Sequence, residues 1–160
     1  MWVKPLVLRK NRKKVKKMQI KVRYQNEAAK PIQQAHSGEW YDLRCAEDVR
    51  MRRGEFKVFS LGVSIELPKG YEALVAPRSS TFSKHGIILA NSIGIIDNAY
   101  CGNNDIWKFP AICMRDYAYI PAGTRIAQFR IIQTQPDAEV VEVETLDNPD
   151  RNGMGSTGEK

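Results

Sequence analysis

Three clusters of residues carry the chemistry this chain could perform. Near the end, Arg151, Asn152, Gly153, Met154, Gly155, Ser156, Thr157 and Gly158 form a glycine-rich, hydroxyl-bearing run opened by an arginine. Glycines let backbone N–H groups converge on an anion, and Arg, Ser and Thr add donors. In the middle, Pro77-Arg78-Ser79-Ser80 is a second anion-type cluster. It is followed by a segment from Asn91 to Gly102 that holds one acid, Asp97, and one tyrosine, Tyr100. Phosphate-type clamps with a single carboxylate point to metal-assisted phosphoester chemistry, the carboxylate holding a water or taking its proton. The apolar neighbours Ile95 and Ile96 predict a partly desolvated Asp97.

Each cluster also has a plainer reading. Arg78 to Ser80 could cap a short helix, Asp97 could bond its own turn, and Tyr100 could be ordinary strand packing. Asn91 offers a donor and an acceptor to a base edge or closes a turn, and Gly102 admits a close backbone approach. In Gly123 to Phe129, Arg125 and Gln128 differ by three, so a regular strand turns them to opposite faces. One would then serve a ligand and the other an ion pair. Asp42, beside Trp40 and Tyr41, is a further acid that could reach a metal or its waters.

The elements that must position these groups are strands. Alternation or short apolar runs predict strands at 19–24, 58–63, 63–67, 71–76, 87–89, 109–114, 126–132 and 140–143, separated by turn chemistry such as Pro68-Lys69-Gly70 and Pro121-Ala122-Gly123. Many short strands with regular turns predict an all-β sandwich or barrel-like fold. One helical turn is expected within 79–85. No internal repeat is present.

The chain has 160 residues and a formal net charge of +7. Residues 1–17 contain eight of the Lys and Arg side chains and no acid, so the charges of residues 18–160 nearly cancel. The chain therefore divides into a basic arm, 1–17, a β domain, 18–146, and a mobile tail, 147–160. The arm is either a solvated extension, such as sequence upstream of a start at Met18, or a non-specific nucleic-acid contact through phosphates. No aromatic residue interleaves with its basic run. No apolar stretch approaches the roughly 20 residues of a membrane span. Cys45, Cys101 and Cys113 have neither disulfide-framework nor zinc spacing, which suits a reducing cytoplasm. Neither His36 nor His85 has the neighbours that a Cys–His nucleophile would need.

Taken in order, the strings WYDL around Asp42, PRSS at 77–80, NSIGIIDNAYCG at 91–102, GTRIAQF at 123–129 and RNGMGSTG at 151–158 resemble the five motifs of the trimeric dUTPase family. The similarity runs from about Met18 to the end, closest in type to Bacillus and phage members. It implies a distorted jelly-roll or β-clip subunit, a homotrimer with sites at subunit interfaces, and hydrolysis of dUTP to dUMP and pyrophosphate with Mg2+. That reaction limits uracil incorporation into DNA and supplies dUMP for thymidylate synthesis. Asp97 matches the residue that positions the attacking water, and Tyr100 the one that packs against the deoxyribose. Asn91, Ile96, Gly102 and Asn103 match positions near the base, the last two in the backbone that reads the uracil edge. Arg78, Ser79, Ser80 and Gln128 match phosphate and site-support positions. Arg151, Gly155, Ser156 and Thr157 match the phosphate ligands of a C-terminal lid, and Asp42 the acid that reaches toward the metal's water shell.

One position departs from the pattern. The tail's usual aromatic, which stacks on uracil, is replaced by Met154. Trp107 or Phe109 is then a candidate base lid, Trp107 above all, or else a core residue. A dCTP deaminase shares the implied fold, but it would need a glutamate in the base site. Some phage members also engage repressor proteins, so a regulatory protein partner is compatible with the resemblance.

Overall fold

The computed structural model describes residues 18–34 and 38–150. Twelve strands follow one another: β1 (Lys21–Tyr24), β2 (Gln33–Gln34), β3 (Tyr41–Arg44), β4 (Val49–Arg52), β5 (Phe56–Ser60), β6 (Val63–Glu66), β7 (Tyr71–Pro77), β8 (Ile87–Leu89), β9 (Gly94–Ile96), β10 (Lys108–Cys113), β11 (Tyr117–Ile120) and β12 (Arg125–Gln133). Between β7 and β8 lies one short helix, α1 (Thr81–His85), within the expected span. The fold class is all-β, as the turn and strand pattern predicted.

The strands form a five-stranded sheet in the order β2-β3-β12-β7-β9, a three-stranded sheet β5-β10-β8, and the two-stranded ribbons β1-β6 and β11-β4. Every pairing is antiparallel. Residues from all four sheets share one core. At its centre Trp107 stands edge-on to Phe129, with ring centroids 5.2 Å apart, and Phe59 stacks on Phe109 at 5.4 Å. Burying each of these rings contributes about 3 kcal/mol. Such a core can hold the site-bearing loops in place while the loops themselves have few contacts.

Strands β4 and β11 lie outside the predicted spans, although their burial alternates residue by residue in the register Met51↔Ala118 and Val49↔Ile120. The expected strand at 140–143 does not form. Regular structure ends at Gln133 among the described residues, and Val140, Val141, Val143 and Leu146 are exposed. Apolar alternation alone makes no strand where no ladder partner is available within the chain.

Strand β12 carries the irregularity that matters most for the site. The register pairs Arg125 with Arg44 but Ala127 with Leu43, so one extra residue is accommodated between them. Ile126 and Ala127 are consequently both buried, and Arg125 is released from the core-facing alternation.

Candidate functional site

Two groups of residues occupy opposite ends of β7. The first is built around Asp42. On β3, Asp42 lies opposite Gln128 of β12, which in turn lies opposite Ala76 of β7. Its carboxylate is 2% exposed and fully engaged, with Oδ1 2.7 Å from Arg78 Nε and Oδ2 3.0 Å from Arg125 Nη1. The bulge in β12 brings Arg125 to the Asp42 side, so the regular-strand expectation of opposite faces for Arg125 and Gln128 is corrected. Gln128 donates from Nε2 to the Pro77 carbonyl at 3.2 Å, which props the end of β7 just before Arg78.

This pairing turns Asp42, expected to reach toward a metal's water shell, to two arginines. Oδ2 accepts from Arg125 Nη1, Oδ1 is ion-paired with Arg78 Nε, and almost no solvent reaches the carboxylate. Among the described residues no three of His, Cys, Asp and Glu cluster as a metal would need. Arg78, by contrast, uses Nε for Asp42, which leaves its two terminal amino groups on the outward side of the fork to meet an anion.

The turn after Pro77 is pinned from behind by Thr81, a residue outside the motif strings. Its hydroxyl donates to the Ile126 carbonyl at 2.6 Å and accepts from the Arg78 N–H at 3.1 Å. A signal for it exists in the sequence, since a hydroxyl three residues after an arginine is turn-closing chemistry. Ser79 is exposed, and Ser80 sits at the helix N-cap without a side-chain capping bond. Their hydroxyls therefore stay uncommitted to the helix, contrary to a plain capping role. With five residues, α1 has little dipole to add.

The second group lies at the start of β7. A cavity of about 310 Å³ is lined by the β9 edge Gly94 to Ile96, together with Asn91, Asp97, Tyr100 and Trp107. Strand β9 approaches β7 closely because Gly94 has no side chain; a Cβ there would lie 3.2 Å from the Val75 Cβ. Tyr100 is 40% exposed and donates its hydroxyl proton to the Ile106 carbonyl at 3.3 Å. The expected desolvation of Asp97 is corrected, because Asp97 is exposed in the single chain. It follows the last residue of β9, where Ile95, on the same face two residues earlier, is itself 61% exposed and so shields it little. Among the described residues Asp97 is also the only acid lining this cavity, and no glutamate lines it, which removes the feature that a deaminase would require.

Gly102 and Asn103 do not line the cavity. The Gly102 N–H donates to Asp105 Oδ2 at 2.7 Å, and the Asn103 carbonyl accepts from Arg23 Nη1 at 2.8 Å. Both backbone groups are thus spoken for, and the polar edge facing the cavity belongs to β9. Trp107 is fully buried, as is Phe109, so neither can lay a ring over a base as a lid. Trp107 belongs to the core and forms the cavity floor. Its indole N–H has no acceptor among the described residues.

Among the described residues neither thiol nor imidazole chemistry is prepared. Burial pushes the Cys45 thiol up to about 11, which leaves no thiolate at neutral pH. His85 closes α1 far along the chain from Cys101. The tail residues Arg151, Met154, Gly155, Ser156 and Thr157 lie outside the described residues, as do the basic arm and His36. No helix among the described residues is long and apolar enough to cross a membrane.

Known proteins are similar to this chain in sequence and in fold. A family model described as dUTPase matches residues 26–158. The SPbeta prophage-derived deoxyuridine 5'-triphosphate nucleotidohydrolase YosS of Bacillus subtilis is 51% identical over 143 residues, covering 89% of this chain and 100% of that protein. Among solved structures, the dUTPase of Staphylococcus bacteriophage 80alpha with dUPNHPP superposes with a TM-score of 0.74 at 22% identity, covering 88% of this chain and 98% of the other. A mutant dUTPase from phage phi11 of S. aureus, described with a structural Mg(II) ion, superposes with a TM-score of 0.68 at 22% identity over 81% of this chain and 99% of its own.

Proposed function

The chain belongs to the dUTPase family and hydrolyses dUTP to dUMP, and we propose that it does so in sites built from opposite ends of β7 on neighbouring subunits of a homotrimer. One observation carries the proposal. The register sets Ile96 opposite Ala73, five residues before Arg78. At about 3.3 Å per residue, roughly 17 Å of strand then separates the Asp97 end from the Arg78 end. That separation is a long reach for one triphosphate attacked at its α-phosphorus, and it supports a site that takes Asp97 from one chain and Arg78 from another.

The apolar surface supports assembly. Phe56, Ile112 and Ile88 pair across β5, β10 and β8, and Phe56, Val58 and Ile88 are exposed there at 58%, 48% and 38%. Such an outward apolar sheet face is a surface for a second copy. Exposed Val140, Val141, Val143 and Leu146 extend the same argument to residues 134–150.

In the proposed reaction, the uracil enters the cavity beside the β9 edge, with Asn91 and Ile96 against it. The Tyr100 ring underlies the deoxyribose and leaves no space for a 2′-hydroxyl. Asp97 orients a water and takes its proton as the water oxygen bonds to the α-phosphorus. The bond from that phosphorus to the α–β bridging oxygen breaks, and pyrophosphate leaves with the bond electrons. The free amino groups of Arg78 and the hydroxyls of Ser79 and Ser80 bind the phosphates from the neighbouring chain. Gln128 keeps the Arg78 turn in place. Arg151, Gly155, Ser156 and Thr157 close over the triphosphate, with Met154 against the base. Product release requires the tail to open again.

Mg2+ enters with the substrate, as the counter-ion of the triphosphate. Among the described residues of one chain no cluster of His, Cys, Asp and Glu suits a resident metal. The three free cysteines, Cys45, Cys101 and Cys113, support a reducing compartment such as the cytoplasm for this reaction.

The test is pyrophosphate release with Mg2+ from dUTP, dCTP, dTTP and UTP. Turnover confined to dUTP is expected. Equal turnover of UTP would remove the role given to Tyr100. Full activity in a chain held monomeric would remove the shared site.

A further inference from the structure

The segment from Asp97 to Asp105 leaves β9 and reaches β10 without a ladder of its own, yet it carries both Asp97 and Tyr100. Side chains fasten it at two places. At its start, Asn98 Nδ2 lies 3.3, 3.0 and 2.9 Å from the carbonyls of Leu67, Pro68 and Tyr71. Its two amide hydrogens are shared among these three acceptors, so the Asn98 side chain is saturated as a donor. Near its end, the Asn103 carbonyl accepts from Arg23 Nη1 at 2.8 Å and from Ser64 Oγ at 3.2 Å. Arg23 and Ser64 are themselves cross-strand partners. The fasteners therefore end on the β1-β6 ribbon, on the turn that leads from it into β7 and on the first residue of β7.

We propose that Asn98 and Arg23 are positioning residues for the hydrolysis. Neither touches substrate; together they set where the Asp97 carboxylate and the Tyr100 ring stand relative to the cavity. This rests on the reading of Asp97 given above. Asn98 is the next residue in the chain, and its side chain fixes the peptide plane from which Asp97 projects. Arg23 acts three residues beyond Tyr100, so its effect falls mainly on the sugar contact. A misplacement of about 1 Å in such a site costs up to ~100-fold in rate.

The experiment compares N98A, R23A and R23K with the parent and with D97N, measuring kcat and KM for dUTP, the dUTP-to-UTP preference and the melting temperature. N98A is expected to lower kcat about 30-fold with KM changed less than about threefold. R23A is expected to lower kcat about fivefold and to reduce the preference for dUTP over UTP, with the melting temperature nearly unmoved because Arg23 lies at the surface. R23K is expected to restore the preference, since an ammonium can donate to the same carbonyl. If N98A fails to fold, the two Arg23 variants decide the question. An inactive D97N beside N98A and R23A within about twofold of the parent would overturn the positioning role alone. A D97N enzyme with near-normal turnover would overturn the Asp97 reading, and this proposal with it.

Discussion

The two ends of β7 differ in how much of a site each completes within one chain. At the Arg78 end, a buried carboxylate grips two arginines, a glutamine props the strand end and a threonine hydroxyl pins the turn. At the Asp97 end, the acid is exposed, and the segment that carries it is held by bonds from Asn98 and Arg23 to backbone carbonyls. In the proposed site, the half that would bind the phosphates is preorganised within one chain, whereas the half that would react presents an open carboxylate to whatever covers it. A phosphate clamp benefits from rigidity because its charges must be in place before substrate arrives. A water-positioning carboxylate needs solvent access before reaction and enclosure during it, which assembly and a closing tail can provide.

Replacing Asp97 breaks the reacting half most directly. Asp97→Asn should reduce turnover by roughly 100-fold or more, as removal of a general base does, while leaving nucleotide affinity near normal. Single-turnover kinetics alongside equilibrium binding will separate the two; near-normal turnover would remove Asp97 from its role. Deleting residues 151–160 should cripple hydrolysis by a comparable factor without moving the melting temperature. A melting temperature that fell along with activity would make the tail part of the fold rather than a lid.

The Arg78 end should fail differently, through stability. Asp42→Ala leaves two guanidinium groups without their carboxylate. Breaking a buried ion pair costs about 3–5 kcal/mol, and the 41% exposure of the Arg125 side chain reduces this to roughly 2–4 kcal/mol here. Urea denaturation should show that loss together with weaker phosphate binding through a loosened Arg78. Unchanged stability would mean that the grip is not preorganised.

The smallest effect lies just behind the clamp. Burial, then the charges of Lys84 and Arg115, holds the His85 imidazolium below its ordinary value of 6.5. The folded chain thus takes up this proton less readily than the unfolded one. The resulting stability is fully present above pH 6.5 and is lost as pH falls through the lower folded value. Solvent screening of this partly exposed ring keeps the contribution small. His85→Gln should flatten the melting profile between about pH 7 and pH 5, and an unchanged slope would assign that acid limb to other groups.

The amino-acid sequence determined the all-β class, the candidate anion-binding residues and the single carboxylate of the cavity. All of these are properties of short windows: alternation, turn residues, and a few functional types at fixed spacing. Tertiary structure alone decided which groups face one another. Spacing within 123–129 set Arg125 and Gln128 on opposite faces, and a bulge against β3 overrode it. Asp42 read as free to approach a metal, and register with β12 and β7 gave it two guanidinium partners. Trp107 could have been lid or core, and packing against Phe129 made it core. Apolar alternation at 140–143 promised a strand, and the lack of a ladder partner withheld it. The Arg23 contact with Asn103 spans 80 positions and leaves no local trace in either segment. Cross-strand register links parts of the chain that no short window contains. It is the register that separates the two ends of β7 and so, in the proposed assembly, divides the site between subunits.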